Sequence, residues 1–220
     1  MMEYVKAEAE TISLDGIGII TASGTWPGHG WGDENHDHGG PPGQTGNKPG
    51  NGNGGSGADA EHIVGELMKE FYIRRPLSRE EQQRLAAVDE AGILLGQHLQ
   101  GALPAIPLTG SIALSTAYSN DAVPELVFAQ QVWGHGKAGD VLLAISTSGS
   151  SKNVYYAIVA AKAKGMVVIG LTGSRQGTMD HLCDICIKAP AEETYQVQEY
   201  HLPIYHAICR YVEEKMFAGE

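Results

Sequence analysis

The sequence predicts an α/β protein, a three-layer α/β/α sandwich built on a mostly parallel sheet. Three observations predict it. Short apolar runs of strand length recur along the chain, among them Val141–Ile145 and Met166–Leu171. Stretches of helical periodicity alternate with these runs. The runs are apolar throughout rather than alternating, as strands covered by helices on both faces require.

The composition bounds what such a fold does. At 220 residues and 42% hydrophobic content the chain holds a real core, as one domain or one domain with an appendage. A formal charge of −11 argues against nucleic acid as a partner, because phosphate backbones reward clustered Lys and Arg. A phosphorylated metabolite is not excluded, since a local cradle decides that. No run reaches the ~18 apolar residues of a membrane span, so no membrane partner is expected. The start, MMEYVKAEAET, has no basic stretch before an apolar one, which argues against a secretory signal. A cytoplasmic location is expected.

Residues 1–50 form an atypical segment. Met1–Leu14 could open as a short helix and Ile17–Ile20 as a short strand. From Ser23 to Gly50, Gly, Pro, Asn, Asp and His dominate, and such text buries too little apolar surface to offset its ordering entropy. His29, His36 and His38 with Asp33, Glu34 and Asp37 raise a metal-binding reading, but a solvated tail with incidental histidines accounts for them. The domain proper is expected over 51–220.

Asn53-Gly54-Gly55-Ser56 reads as a tight turn whose backbone can approach a ligand closely. A helix is predicted over Ala58–Tyr72, with Ile63, Val64, Leu67, Met68 and Phe71 as its buried stripe. His62 and Glu66 stand four apart, hence on one face, which suits a shared metal or substrate hydroxyl and equally an ordinary surface pair. Arg74–Gln100 reads as a helix or helix pair, with Ser78 and Glu81 in capping-box spacing. A strand is expected at Ala105–Leu108. Helices follow at Ala113–Asp121, ending in Asn120-Asp121, and at Leu126–Gly134.

The strand Val141–Ile145 then runs into Ser146-Thr147-Ser148-Gly149-Ser150-Ser151 and a helix over Asn153–Lys164 closed by Gly165. A strand, a Gly/Ser/Thr loop and a helix start form a phosphate cradle. The first helical N–H groups lack partners, the helix dipole favours an anion, and hydroxyls add rotatable donors. Capping explains any single serine, but five hydroxyls in six residues favour the cradle. Beyond it come a strand at Met166–Leu171, a short helix at Gly177–Leu182 and a strand at Asp184–Lys188. A helix fills most of Thr194–Phe217, its regular part expected from about Tyr200 because of Pro203. Cys183-Asp-Ile-Cys186 is formally a CxxC. On a strand, positions three apart point to opposite faces, so structural thiols are expected there.

ISTSGSSKNV, with GNGGSGADAEHIVGEL before it and VQEYHLPIYH after it, resembles the sugar-isomerase (SIS) domain, and within it the sedoheptulose 7-phosphate isomerases. The resemblance runs from about Asn51 to Phe217. It implies a flavodoxin-like fold and isomerisation of a phosphorylated seven-carbon sugar in a homotetramer or homodimer. Asn53, Gly54, Gly55 and Ser56 resemble the family's first substrate turn, and Asn120 and Asp121 its substrate-contacting pair. Ser146, Thr147, Ser148 and Ser151 match its phosphate loop. His62, Glu66, Gln198 and His206 match its zinc ligands, Glu66 and His206 being also the acid/base pair. Glu66 and Gln198 would contact substrate as well.

Two departures stand out. Tyr195 occupies a position where many members carry Asp. Members also run from a long first helix and an apolar strand directly into GNGGS, whereas GNKPGN precedes it here. Either Gly16–Ala22 is that strand followed by an insertion, or the usual start is lost or replaced. Some relatives keep the fold without chemistry, as phosphosugar-binding scaffolds or regulators, one associating with a replication initiator. That type lacks the His206 position, so the presence of both Glu66 and His206 favours the enzyme.

Overall fold

Val141–Ser146 is buried at all six positions and forms the middle of one parallel sheet. A computed structural model describes residues 19–23, as backbone, and 54–218. The strands are β1 (Ile19–Ser23), β2 (Ala105–Pro107), β3 (Val141–Ser146), β4 (Val167–Thr172) and β5 (Ile185–Lys188), in the spatial order β2-β1-β3-β4-β5. Among the described residues every pairing of these strands is parallel, with Ile19 opposite both Ala105 and Val141, and Val141 opposite Val167.

Placing β1 decides between the two readings of the N-terminal segment. The strand reading holds, at Ile19–Ser23, and residues 24–53 separate it from the first described helix. The boundary expected at residue 51 therefore does not hold for the sheet, which takes an inner strand from the segment before it. The histidines at 29, 36 and 38 lie outside the described residues.

Alternation along β3 divides the core in two. Leu142 and Ala144 face a layer with Val127, Phe128 and Val132 of α5 (Val127–His135) and Val154, Ala157, Ile158 and Ala161 of α6 (Lys152–Ala163). Leu143 and Ile145 face Ala60, Ile63 and Leu67 of α1 (Gly54–Met68) and Tyr205 and Cys209 of α7 (Thr194–Phe217). These are the three layers that uninterrupted apolar strands require. Gly165, at φ +73°, turns the chain from α6 into β4.

Residues 79–98 form two helices, α2 (Arg79–Ala86) and α3 (Ala91–His98), and the Ser78–Glu81 capping box is complete. The hairpin closes at its neck, where Gly101 N–H donates to the Arg75 carbonyl at 2.7 Å. Ile112–Asp121 is α4.

Four expectations need correction. First, α1 starts at Gly54 and ends at Met68, not at 58 and 72. Its last carbonyls are taken by Arg75, and the N–H groups of Phe71, Tyr72 and Ile73 go to the Glu213 carboxylate. Partners this distant in sequence end the helix early.

Second, α7 is helical from Thr194. Glu199 and Pro203 are both exposed, so water meets the carbonyl that lacks its intrahelical donor. Third, residues 178–182 form turns rather than a helix, because the Asp180 carboxylate accepts from Gly177 N–H and the Met179 N–H is drawn to the Gly149 carbonyl.

Fourth, the two thiols of the CxxC do not point apart. A Cβ on Gly170 would lie 2.8 Å from Cys183 Sγ and 3.4 Å from Cys186 Sγ. Cys183 precedes β5, so strand alternation does not govern it. Both thiols are free and half-buried, and burial pushes that of Cys183 up to about 12. Neither is poised as a nucleophile.

Candidate active site

Helices α1 and α7 run parallel, and their facing residues meet turn by turn. At the first turn Gly55 leaves room for Gln198: a Cβ there would lie 2.3 Å from Gln198 Nε2 and 2.7 Å from its Oε1. One turn on, His201 is wholly buried with Asp59 Oδ2 at 3.8 Å from its Nδ1. Next, His62 Nδ1 stands 2.9 Å from Tyr205 Oη, and His62 and His206 meet edge to face with centroids 5.1 Å apart. Glu66 completes the row, its Oε1 at 3.0 Å from His62 Nε2 and its Oε2 accepting from Lys69 Nζ at 2.9 Å.

Burial would raise the Glu66 carboxyl, but Lys69 and His62 outweigh it and hold the group below its ordinary value of 4.5. The side chain is 12% exposed, an ionised carboxylate sheltered from bulk water. Tyr205 goes the other way: burial, then the negative charge of Asp59, push its phenol up to about 12. It remains a neutral hydroxyl.

The cradle sits at the C-terminal end of β3, where ligands of parallel sheets bind. Gly149, at φ +64°, makes the turn, with its N–H on the Ser146 carbonyl at 3.0 Å. Ser151 occupies the N-cap of α6 without capping it, its Oγ lying 3.0 Å from Ser146 Oγ instead. Ser148 is exposed, while Ser146 and Thr147 are buried.

The first turn of α7 ties this loop to the α1–α7 row. A Cβ on Gly173 would meet both the Thr147 carbonyl, at 2.8 Å, and Val197 Cγ2, at 2.9 Å. Val197 thus lies by Gly173 and the serine-rich loop after β3 while Gln198 seats against Gly55. The first turn of α7 therefore adjoins both the loop after β3 and the start of α1, where Gly54–Ser56 are helical rather than the expected turn.

Of the sequence-predicted residues, Gly55, His62, Glu66, Gln198 and His206 come together. Ser56 adjoins them with its Oγ buried and without a hydrogen-bond partner among the described residues. Asn53 lies outside the described residues, and Gly54 opens α1. Asn120 and Asp121 end α4, both exposed, and among the described residues no hydrogen bond ties them to the row.

His201 is buried, and among the described residues neither of its ring nitrogens has a hydrogen-bond partner. Sequence reasoning missed Tyr205 and Lys69 as partners of His62 and Glu66. Their spacings of four and three residues from His201 and Glu66 carried the only signal, and ordinary helix faces share it.

As they stand, no three His, Cys, Asp or Glu side chains among the described residues are arranged to hold a metal ion. His62 Nε2 and Glu66 Oε1 face each other, and Gln198 lies against Gly55. The donor chemistry nevertheless fits zinc. Two imidazoles and a carboxylate adjoin, and His206 Nε2 is buried with no hydrogen-bond partner among the described residues.

Gly55→Ala tests the first contact of the row. The atoms nearest the new methyl group belong to the amide end of Gln198, a flexible side chain, and Ala favours a helix by about 0.5–1 kcal/mol over Gly. Melting is expected to be unchanged or slightly higher. A misplacement of about 1 Å at Gln198 should lower kcat/KM by about 100-fold. Unaltered kinetics in the folded variant would remove Gln198 from the site.

The SIS domain family matches residues 51–173. Phosphoheptose isomerase from Aneurinibacillus thermoaerophilus is 41% identical over 169 residues, covering 77% of this chain and 73% of the relative. Phosphoheptose isomerase 2 from Campylobacter jejuni is 41% identical over 166 residues, covering 76% and 70%. Among solved structures, a phosphoheptose isomerase from Neisseria gonorrhoeae superposes with a TM-score of 0.61 at 27% identity, over 91% of this chain and 78% of that one. One from Francisella tularensis gives the same TM-score at 26% identity, over 91% and 77%.

Proposed function

We infer that this chain, which belongs to the SIS-domain family and within it to the phosphoheptose isomerases, converts sedoheptulose 7-phosphate to D-glycero-D-manno-heptose 7-phosphate. The observation that carries the reading is that α1 and α7 bring Glu66 and His206 to one imidazole, His62, with Glu66 Oε1 at 3.0 Å from its Nε2 and the two rings edge to face, while the first turn of α7 seats by the serine-rich loop that follows β3.

Moving the carbonyl between C2 and C1 requires a proton to leave one carbon and reach the other through an enediolate. Glu66, held ionised by Lys69 and His62, takes the proton. His206, on the facing helix, handles the proton at the neighbouring centre. Ser146, Thr147, Ser148 and Ser151 receive the phosphate, whose binding energy positions the distant reacting carbons. Asn53, Gly54, Gly55, Ser56, Gln198, Asn120 and Asp121 are proposed to contact the sugar.

His62, Glu66, Gln198 and His206 are the residues that would hold zinc. Bound there, the ion would supply Lewis-acid polarisation of the sugar carbonyl. A mixed nitrogen and oxygen donor set binds it less tightly than thiolates do.

Self-association as a tetramer or dimer is supported by the apolar face of α3, where Ile93 and Leu94 are 55% and 60% exposed. Among the described residues no helix is long and apolar enough to cross a membrane. A cytoplasmic setting suits the three free thiols, and the product would feed nucleotide-activated heptose synthesis.

The test follows sedoheptulose 7-phosphate in D2O by NMR, with and without added zinc, light scattering on the same sample giving the oligomer. Deuterium entry at C1 and C2 together with aldose formation is expected. A saturable rise in melting temperature with no exchange would instead indicate a phosphosugar-binding scaffold.

A further inference from the structure

His62 uses both ring nitrogens, and only one of them carries hydrogen in the neutral imidazole. Nε2 lies 3.0 Å from Glu66 Oε1, and Nδ1 lies 2.9 Å from Tyr205 Oη. An ionised carboxylate can only accept, so in this arrangement Nε2 carries the hydrogen and the Tyr205 O–H donates to Nδ1. Tyr205 is 1% exposed and meets the His62 ring edge on, with centroids 5.5 Å apart and planes at 75°. Water has little room to replace it.

The pairing inverts if Nε2 gives its lone pair to a metal. The hydrogen must then sit on Nδ1 and needs an acceptor there. A phenol oxygen both donates and accepts, so Tyr205 can serve either state by turning its own hydrogen away. No other hydrogen-bonding partner of Nδ1 is seen among the described residues.

We propose that Tyr205 is a positioning residue that orients His62 and supports both of its tautomers, allowing one ring to pair with Glu66 when metal-free and to ligate zinc when loaded. The resemblance gives Tyr205 no role, and the proposal follows from the 2.9 Å contact across two helices. It rests on the assignment of His62 to the site, and its zinc arm rests on the zinc reading.

Tyr205→Phe removes only the hydroxyl, and circular dichroism verifies that the variant folds. Two measurements follow on wild type, Tyr205→Phe and His62→Ala. The first is zinc affinity, by competition with a chromophoric chelator. The second is the 15N spectrum of the histidine side chains in metal-free protein.

Loss of an outer hydrogen bond to a ligating histidine costs about 10–100-fold in metal affinity. Tyr205→Phe is expected to bind zinc more weakly by that factor. Its His62 Nδ1 resonance should also move from a hydrogen-bonded acceptor's position towards that of a free one. Wild-type affinity with an unmoved Nδ1 resonance would overturn the proposal. If wild type and His62→Ala bind zinc equally, the zinc reading fails. The Nδ1 resonance then decides alone, a shift in Tyr205→Phe supporting the orienting role and no shift overturning it.

Discussion

His206→Ala and Glu66→Gln are each expected to abolish deuterium exchange at C1 and C2 of sedoheptulose 7-phosphate. A positioned acid or base contributes about 10²–10⁴-fold, so kcat should fall by that factor in each variant. The double variant should be little worse than either single one, because residues that act as a unit lose their effect together.

KM should change less for His206→Ala than for a change at Ser148, which is proposed to receive the phosphate and lies off the proposed proton path. Under this assignment Glu66 sets the acid side of the pH profile, and the pull of Lys69 and His62 on its carboxyl should move that limb to more acidic pH than an ordinary glutamate would give. Full exchange in either single variant would refute the acid/base assignment.

Glu213→Ala is expected to be the most destabilising single substitution in the molecule. The Glu213 carboxylate is wholly buried and receives N–H groups from Phe71, Tyr72 and Ile73 at 2.8–3.1 Å. Arg75, equally buried, reaches it at 2.8 Å and gives its remaining donors to the carbonyls of Leu67 and Glu66 that end α1. This one ion pair thus terminates the helix carrying His62 and Glu66 and fixes it to α7.

Removing one partner leaves a buried charge unpaired, which costs about 3–5 kcal/mol. At about 2–4 °C per kcal/mol for a chain of this size, melting should fall by roughly 10 °C. Replacing both residues, as in Glu213→Gln with Arg75→Met, should cost less than Glu213→Ala alone, because no charge is then stranded.

The pH dependence has a definite sign. Burial would raise the Glu213 carboxyl, but the three N–H groups and Arg75 outweigh it and lower it from 4.5. Its stabilisation is therefore fully present above about pH 4.5 and is lost as pH falls through the lowered value. A melting temperature unchanged by Glu213→Ala would show that α1 ends for another reason.

By itself the sequence determined the layers and the chemistry-bearing loops. Val141–Ile145 had to be an inner strand because neither of its faces offers water a polar side chain. The Ser78–Glu81 box had to start a helix, and hydroxyls packed at 146–151 marked the loop at a strand's C-terminal end as the candidate anion site. These are local signals, carried by neighbours in the chain.

Tertiary structure decided what depends on partners far away. The end of α1 is set by Glu213, 142 residues on from Phe71. The hydrogen-bonding partner of His62 Nδ1 is Tyr205, 143 residues away, and the convergence of the CxxC thiols depends on Gly170 beneath them. The place of Ile19–Ser23 between β2 and β3 belongs here too, because a short apolar run becomes an inner strand only when neighbours on both edges accept its hydrogen bonds.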